Sequence, residues 1–182
     1  MKAVVTFAGR IASGKLTLSQ AVAQTLGCPR VGFGDYLRAE AGRRGLGEGR
    51  TVLQDLGEQT IQQLGWIEFC RVVLAQAGWQ PGQSIVVDGI RHEDAIKTLR
   101  QIVAPLPCYL IYIQVDDDQG AARLLKRGEQ PPDKEHSTEV QVENGLSEIA
   151  DIILDGTKTL VQLNQEVVAW LQRTLAEADA AH

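Results

Sequence analysis

Sulfur and aromatic rings are scarce in this chain: 182 residues include three cysteines, one methionine and three histidines, with aromatic side chains at 5%. Cys28, Cys70 and Cys108 are far apart and odd in number, form no C-x-x-C pair and have no histidine at ligand spacing. Neither a disulfide framework nor a zinc site is thereby indicated, and the three are expected as buried reduced thiols. Basic excess is missing too. The net charge is −5, and the basic residues are scattered except at Arg43-Arg44 and Arg123 to Arg127, so the footprint of a non-specific nucleic-acid binder is absent. Apolar runs are short: none approaches the ~18 residues of a membrane span, and the run Ala3 to Phe7 ends in a glycine turn rather than a signal-peptide cleavage site. The expectation is a cytoplasmic protein with neither nucleic acid nor membrane as partner. Repeats, coiled-coil heptads and low-complexity tracts are also lacking, and at 44% apolar residues the length suits one domain with a full core.

What is present is concentrated near the N-terminus. Gly9-Arg10-Ile11-Ala12-Ser13-Gly14-Lys15 has the form G-x-x-x-x-G-K and follows the apolar run Ala3-Val4-Val5-Thr6-Phe7, which reads as a buried strand. A tight turn between strand and helix aims successive backbone N–H groups at one point, and the positive end of the helix dipole adds to them. This is the chemistry of a phosphate-binding loop, with Lys15 as a mobile charge for terminal phosphates. One position departs from the usual pattern: the residue after the lysine is Leu16, and the hydroxyl comes one place later, at Thr17.

Leu18, Val22 and Leu26 then recur every four residues on a helix that stops at Gly27. Pro29 to Phe33 is a short second strand, and a helix can begin within Gly34-Asp35-Tyr36-Leu37-Arg38. Residues 39–49, rich in glycine and arginine, read as a flexible basic connection. Leu53, Leu56, Thr60, Ile61 and Leu64 suit one helix, and Trp66, Phe69, Cys70, Val73 and Ala77 another, with Gly65 between them. Trp66, Phe69 and Trp79 are expected to pack within this pair. A third strand, Ser84 to Asp88, ends in a carboxylate; a helix spans Ala95 to Val103; Cys108 to Val115 is a fourth strand. An acidic helix start at Asp116-Asp117-Asp118 leads to Arg123 and Arg127. Residues 128–144 are polar, Ile152 to Leu154 is a last strand, and Leu160 to Leu175 a last helix. Apolar strands each followed by a helix describe an α/β protein with a parallel sheet covered on both faces, whose chemistry-bearing loops gather at one edge.

With these residues in hand, the chain resembles the P-loop nucleoside monophosphate kinase family, in particular small relatives of adenylate kinase and dephospho-CoA kinase. Gly34-Asp35-Tyr36-Leu37-Arg38 matches the family's G-D-x-x-R. Asp88-Gly89-Ile90-Arg91 resembles D-G-x-P-R, one residue shorter, and Arg123-x-x-x-Arg127 resembles the arginine pair at the lid base. Ala150 to Thr157, with Gly156, resembles the strand and loop that support the adenine edge.

The resemblance implies a three-layer P-loop NTPase fold with a five-stranded parallel sheet of order 2-3-1-4-5. It implies one domain over 1–182: a core of 1–33, 83–127 and 145–175, an acceptor-binding helical insert at 34–82, and a lid at 128–144. ATP and Mg²⁺ are the implied cofactors, and a small, nucleotide-like phosphate acceptor is the implied partner of a monomer or homodimer. Residues 9–17 (Gly9, Arg10, Ile11, Ala12, Ser13, Gly14, Lys15, Leu16, Thr17) and Gly156 are then assigned to the nucleotide. Lys15, Arg91, Arg123 and Arg127 are assigned to catalysis, Asp35, Arg38 and Arg91 to the acceptor, and Asp88 to the metal through water. Adenylate kinases carry G-K-G-T, which accounts for Leu16 and gives Thr17 the α-phosphate contact. Two departures stand out: Ala12 occupies a place where many relatives have glycine, and no arginine occurs between Gly128 and Gln172. A dephospho-CoA kinase-like hydroxyl kinase, with Asp35 as base, and a nucleotide-dependent switch are the alternatives. Arg50 and Gln54, one turn apart, are further possible acceptor contacts.

Overall fold

The computed structural model describes residues 2–126, 128 and 145–180, so Arg127 and nearly all of the expected lid lie outside the described residues. Its elements run β1 (Val4–Gly9), α1 (Lys15–Leu26), β2 (Arg30–Gly32), α2 (Phe33–Arg43), α3 (Arg50–Gln76) and β3 (Ile85–Ile90). They continue with α4 (Glu93–Val103), β4 (Cys108–Gln114), α5 (Asp117–Lys126), β5 (Ile152–Asp155) and α6 (Leu160–Ala180). The five strands form one sheet of order β2-β3-β1-β4-β5, all neighbours parallel.

Strand alternation divides the apolar residues between two cores. Val4 and Ala8 of β1, Val87 of β3 and Leu110 of β4 face a layer made with Phe69, Val73, Ile96 and Leu99 from α3 and α4. Val5 and Phe7, Val86 and Ile111 face the opposite layer, made with Leu18 and Val22 of α1 and Val167 and Leu171 of α6. Phe7, Leu18, Ile96 and Ile111 are fully buried, and each such side chain contributes roughly 1.5–3 kcal/mol of transfer free energy. Because β1 is central and covered on both faces, the turn at its C-terminal end is held between two packed layers.

Local chemistry sets the ends of the elements. Gly27 takes φ 63 after α1, with Gly27 N–H donating to Gln24 O and Cys28 N–H to Ala23 O, a Schellman termination. Asp116 Oδ1 accepts from Gln119 N–H at 2.8 Å and caps α5, as the acidic start suggests. Gly65 interrupts α3 with φ 71 and ψ 169, so the two expected helices form one kinked element.

Three expectations are corrected. The stretch 39–49 is not wholly a loose connection, because α2 runs to Arg43: Ala41 is buried, and Glu40 pairs with both Arg43 and Arg44. Asp88 does not end the third strand: β3 runs two residues past it, to Ile90, so the carboxylate lies inside the strand. Of the three unpaired cysteines only Cys70 and Cys108 are buried, Cys28 being half-buried. Among the described residues no helix is long and apolar enough to cross a membrane.

Candidate functional site

The C-terminal end of β1 turns sharply at Gly9, whose φ is 147. A Cβ there would stand 2.7 Å from the Ile113 carbonyl oxygen of β4 and 2.9 Å from Ser13 Oγ, so only glycine lets the loop leave the sheet this close to its neighbour strand. The loop then wraps to Gly14, the N-cap of α1, with φ 89, and Ala12 is held in the left-handed region at φ 62. Left-handed backbone on a non-glycine residue costs roughly 1–2 kcal/mol, and it persists where surrounding structure holds it. The first N–H groups of α1 lack intrahelical partners as in any helix, and they open toward the cleft lined by Gly14, Lys15, Leu16 and Thr17. Lys15 Nζ donates to the Arg10 carbonyl at 3.0 Å, which folds its charge over the loop.

Beside the loop, β3 carries Asp88 in register with Phe7 of β1 and Gly32 of β2. The register shifts after this point, Ala8 pairing with Ile90, and Gly89 takes φ 80 in the irregularity. Asp88 is only 5% exposed. Ser19 Oγ lies 3.2 Å from Asp88 Oδ2, while Oδ1 has no hydrogen-bond partner among the described residues. Burial pushes the Asp88 carboxyl pKa up; Lys15 and Arg30, the Gly89 amide and the Ser19 hydroxyl pull the other way and only partly offset it. The carboxylate thus sits buried within the field of the loop lysine and Arg30.

The opposite wall is assembled from side chains. Asp35 at the start of α2 receives both guanidinium nitrogens of Arg30 on Oδ2, at 2.9 and 2.7 Å, and Arg38 Nη1 on Oδ1 at 2.9 Å. The three form an Arg–Asp–Arg chain in which neither carboxylate oxygen is left without a cation. Backbone at Gly32 makes room for it: a Cβ there would meet Asp35 Oδ2 at 2.8 Å and Arg30 Nη1 at 3.2 Å. Arg91 and His92 follow β3, and the His92 ring sits 5.1 Å from that of Trp66, which in turn stacks on Phe69 at 6.3 Å.

These parts share one cleft of about 520 Å³. It joins the loop residues Ile11, Ala12, Gly14, Lys15, Leu16 and Thr17 to Asp35 and Arg38, Asp88, and Arg91. Of the residues expected from the sequence, these converge. Arg123 does not line the cleft. It reaches behind the loop, with Nη1 donating to Ala12 O at 3.2 Å and Ser13 O at 3.4 Å, and Nη2 to Gly156 O at 2.7 Å. Gly156 is buried, and its N–H donates to Gln114 O at 2.8 Å, so Arg123 ties the loop to the turn after β5. Arg127 lies outside the described residues.

The cleft also holds groups that sequence reading passed over. Glu58 lines it one turn beyond Gln54 on α3, while Ser19, one turn beyond Leu16 on α1, and Arg30, which opens β2, stand outside the lining and hold the cleft carboxylates Asp88 and Asp35. Helical spacing from Arg50 and Gln54 was the available signal for Glu58. Trp66 and Phe69 pack as expected, yet both also line the cleft.

A parallel sheet of order 2-3-1-4-5, with a glycine loop after its central strand and a helical wall across the cleft, defines a P-loop nucleoside monophosphate kinase-like protein. Residues 9–141 match the AAA domain family AAA_17, and the chain belongs to that family of P-loop kinase-like proteins. It is 28% identical over 173 residues to a UPF0200 protein of Pyrobaculum aerophilum, covering 90% of this chain and 94% of the relative. It is 29% identical over 129 residues to an adenylate kinase of a Synechococcus strain, 68% of this chain and 65% of that protein. Among solved structures, a shikimate kinase from Aquifex aeolicus superposes with a TM-score of 0.65 at 18% identity over 94% of this chain and 98% of that one. A gluconokinase from Sinorhizobium meliloti does so with 0.64 at 16%, over 99% and 97%. At such identities the structural likeness concerns the fold.

Proposed function

We propose that this protein is an ATP-dependent phosphotransferase that passes the γ-phosphoryl group to a phosphate on a small, nucleotide-like acceptor. The observation that carries the reading is the convergence, in one cleft, of the glycine loop and Lys15 with Arg38 and Arg91 from the opposite wall. Phosphoryl transfer asks little covalent chemistry of a protein; holding two anions in line and neutralising developing charge supply most of the rate. The N–H groups of the loop and Lys15 suit the donor phosphates, with the Thr17 hydroxyl one place past Leu16 serving the α-phosphate. Arg38 and Arg91 suit the acceptor phosphate because a planar fork binds two oxygens at once.

The residues present fit a magnesium ion. Asp88 offers a buried oxygen ligand, Oδ1, with no hydrogen-bond partner among the described residues, the hard ligand type that an ion retaining most of its waters takes at one remove. When bound, the ion neutralises charge on the donor phosphates. Arg123, anchored on the loop carbonyls and on Gly156, keeps the loop and the turn beneath the adenine edge in fixed relation and so acts on the donor by position.

Acceptance by a hydroxyl is less well supported. Such an acceptor wants a carboxylate base, and Asp35 has both oxygens engaged by guanidinium groups. A coupled assay with ribo- and deoxyribonucleoside monophosphates and dephospho-CoA tests the proposal. Turnover of a monophosphate is expected, with Arg91→Ala lowering acceptor-dependent rate by roughly 100-fold, the scale of a lost charge-assisted contact in a transition state, while ATP still binds. ATP binding without turnover of any acceptor overturns the kinase reading and favours a nucleotide-dependent switch.

A further inference from the structure

Eight residues of α3 line the cleft, and the spacing of the six that precede its break at Gly65 sorts them into two parallel rows. Arg50, Gln54 and Glu58 stand at i, i+4 and i+8, and Leu53, Gly57 and Ile61 stand beside them with the same spacing. Residues four apart lie above one another on one helix face, so each row spans roughly 12 Å at the usual helical rise. One row is graded from cation through amide to carboxylate; the other is smooth and apolar, with the Ile61 end continuing toward Trp66 and Phe69 on the same cleft.

A smooth apolar strip suits the face of a flat ring, and a polar strip alongside suits its edge. Gln54 can donate and accept, whereas ionised Glu58 only accepts. Glu48 lines the same cleft, so two carboxylates bound it on this side. Arg38, Arg50 and Arg91 of the same cleft can hold acidic groups, but a carboxylate at the Glu58 end of the row would meet like charge there, and a polyol would leave the apolar row against hydroxyls. We infer that Gln54 and Glu58 read the edge of a planar nitrogen heterocycle on the acceptor, with Glu58 accepting from an exocyclic amine, so that amine-bearing bases are preferred to their oxo counterparts.

This inference rests on the phosphotransferase reading only in placing an acceptor in the cleft, and it is tested by equilibrium binding. Calorimetric titration of the full chain with AMP against IMP, and CMP against UMP, measures an amine-to-oxo affinity ratio. Wild type is expected to favour one amine member by tenfold or more, the scale of a hydrogen bond to a charged acceptor. Glu58→Gln, nearly isosteric but able to present a donor, is expected to bring that ratio to within about threefold. Glu58→Asp keeps the charge and withdraws it by one methylene, so it should lower the ratio several-fold without reversing it. No preference in wild type, no binding of any of the four, or a ratio unchanged in both variants overturns the inference. ATP-dependent turnover of an acceptor without a heterocycle would, in that event, leave the phosphotransferase reading standing.

Discussion

On the loop side of the cleft, the groups that face a phosphate under the proposed function are mostly backbone: the turn at Gly9, the left-handed Ala12 and the N-terminus of α1. On the far side they are side chains, Asp35 and Arg38 from α2, Arg91 after β3 and the polar row of α3. The loop side is clamped between two packed layers and tied behind by Arg123. The far side hangs on the insert, where α3 is broken at Gly65. Backbone sites of this kind are rigid and indifferent to what the phosphate carries; side-chain sites are adjustable and can discriminate. The contrast says that this architecture holds the donor constant and leaves the acceptor open to variation.

The largest effect is expected where the backbone half is broken. Gly9→Ala forces a Cβ against the Ile113 carbonyl, and that contact is with backbone, so the strand end or the loop must shift. Strain of roughly 1–3 kcal/mol should appear both as lost thermal stability and as a 10- to 100-fold weaker ATP affinity, with stability followed by calorimetry and affinity by nucleotide titration. Unchanged ATP affinity would show that the loop is softer than its packing implies.

The same contrast governs what could be read from the residues alone. The sheet order followed from the family resemblance, and the convergence of Lys15, Arg38, Asp88 and Arg91 was legible because a glycine pattern, an apolar strand carrying Asp and G-D-x-x-R are local strings with a fixed place in a parallel sheet. Ala12, which departs from the glycine that many members of the resembled family have there, adopts a left-handed φ of 62. Illegible were the pairings that depend on packing. Nothing local says that Arg30 reaches Asp35, which removes Asp35 from the role of a ready base. Nor does i, i+4 spacing say that Arg123 turns toward the carbonyls of Ala12 and Gly156 instead of the cleft. The same arginine spacing would suit a solvated helix face.

Asp88 stands where the two halves meet, and its substitution should move stability and activity in opposite directions. Burial raises its pKa, so the native state retains a proton that the unfolded chain releases. The associated stability is fully present below the unfolded aspartate pKa of about 3.9 and is lost as pH rises through the higher native value. Asp88→Asn removes the buried charge, so the nucleotide-free protein should melt higher than wild type at neutral pH, the gain vanishing below about pH 4. Turnover should fall by roughly tenfold or more, as a second ligand shell is lost. A variant less stable than wild type at pH 7 would mean that Lys15 and Arg30 outweigh the burial.

The smallest change sharpens the comparison most, because it alters the acceptor side without touching a charge. Gly32→Ala places a methyl 2.8 Å from Asp35 Oδ2 and 3.2 Å from Arg30 Nη1. The backbone at Gly32, with φ −129 and ψ 142, is open to any residue, so the substitution carries no strain of its own. What must give is the Arg30–Asp35 pair, and with it the anchor that orients Arg38. Partly exposed ion pairs are worth about 0–1 kcal/mol, so stability should barely move. Arg38 loses its fixed pose, and the KM for the acceptor should rise about three- to tenfold while kcat and ATP affinity stay near wild type, since the contact is made equally in ground and transition states. Steady-state kinetics with each substrate varied separates these parameters. Were kcat to fall and acceptor KM to hold, Asp35 would be acting on the reacting atoms themselves and the hydroxyl-acceptor reading would regain its base; were both unchanged, the Arg–Asp–Arg chain would be no part of the acceptor side.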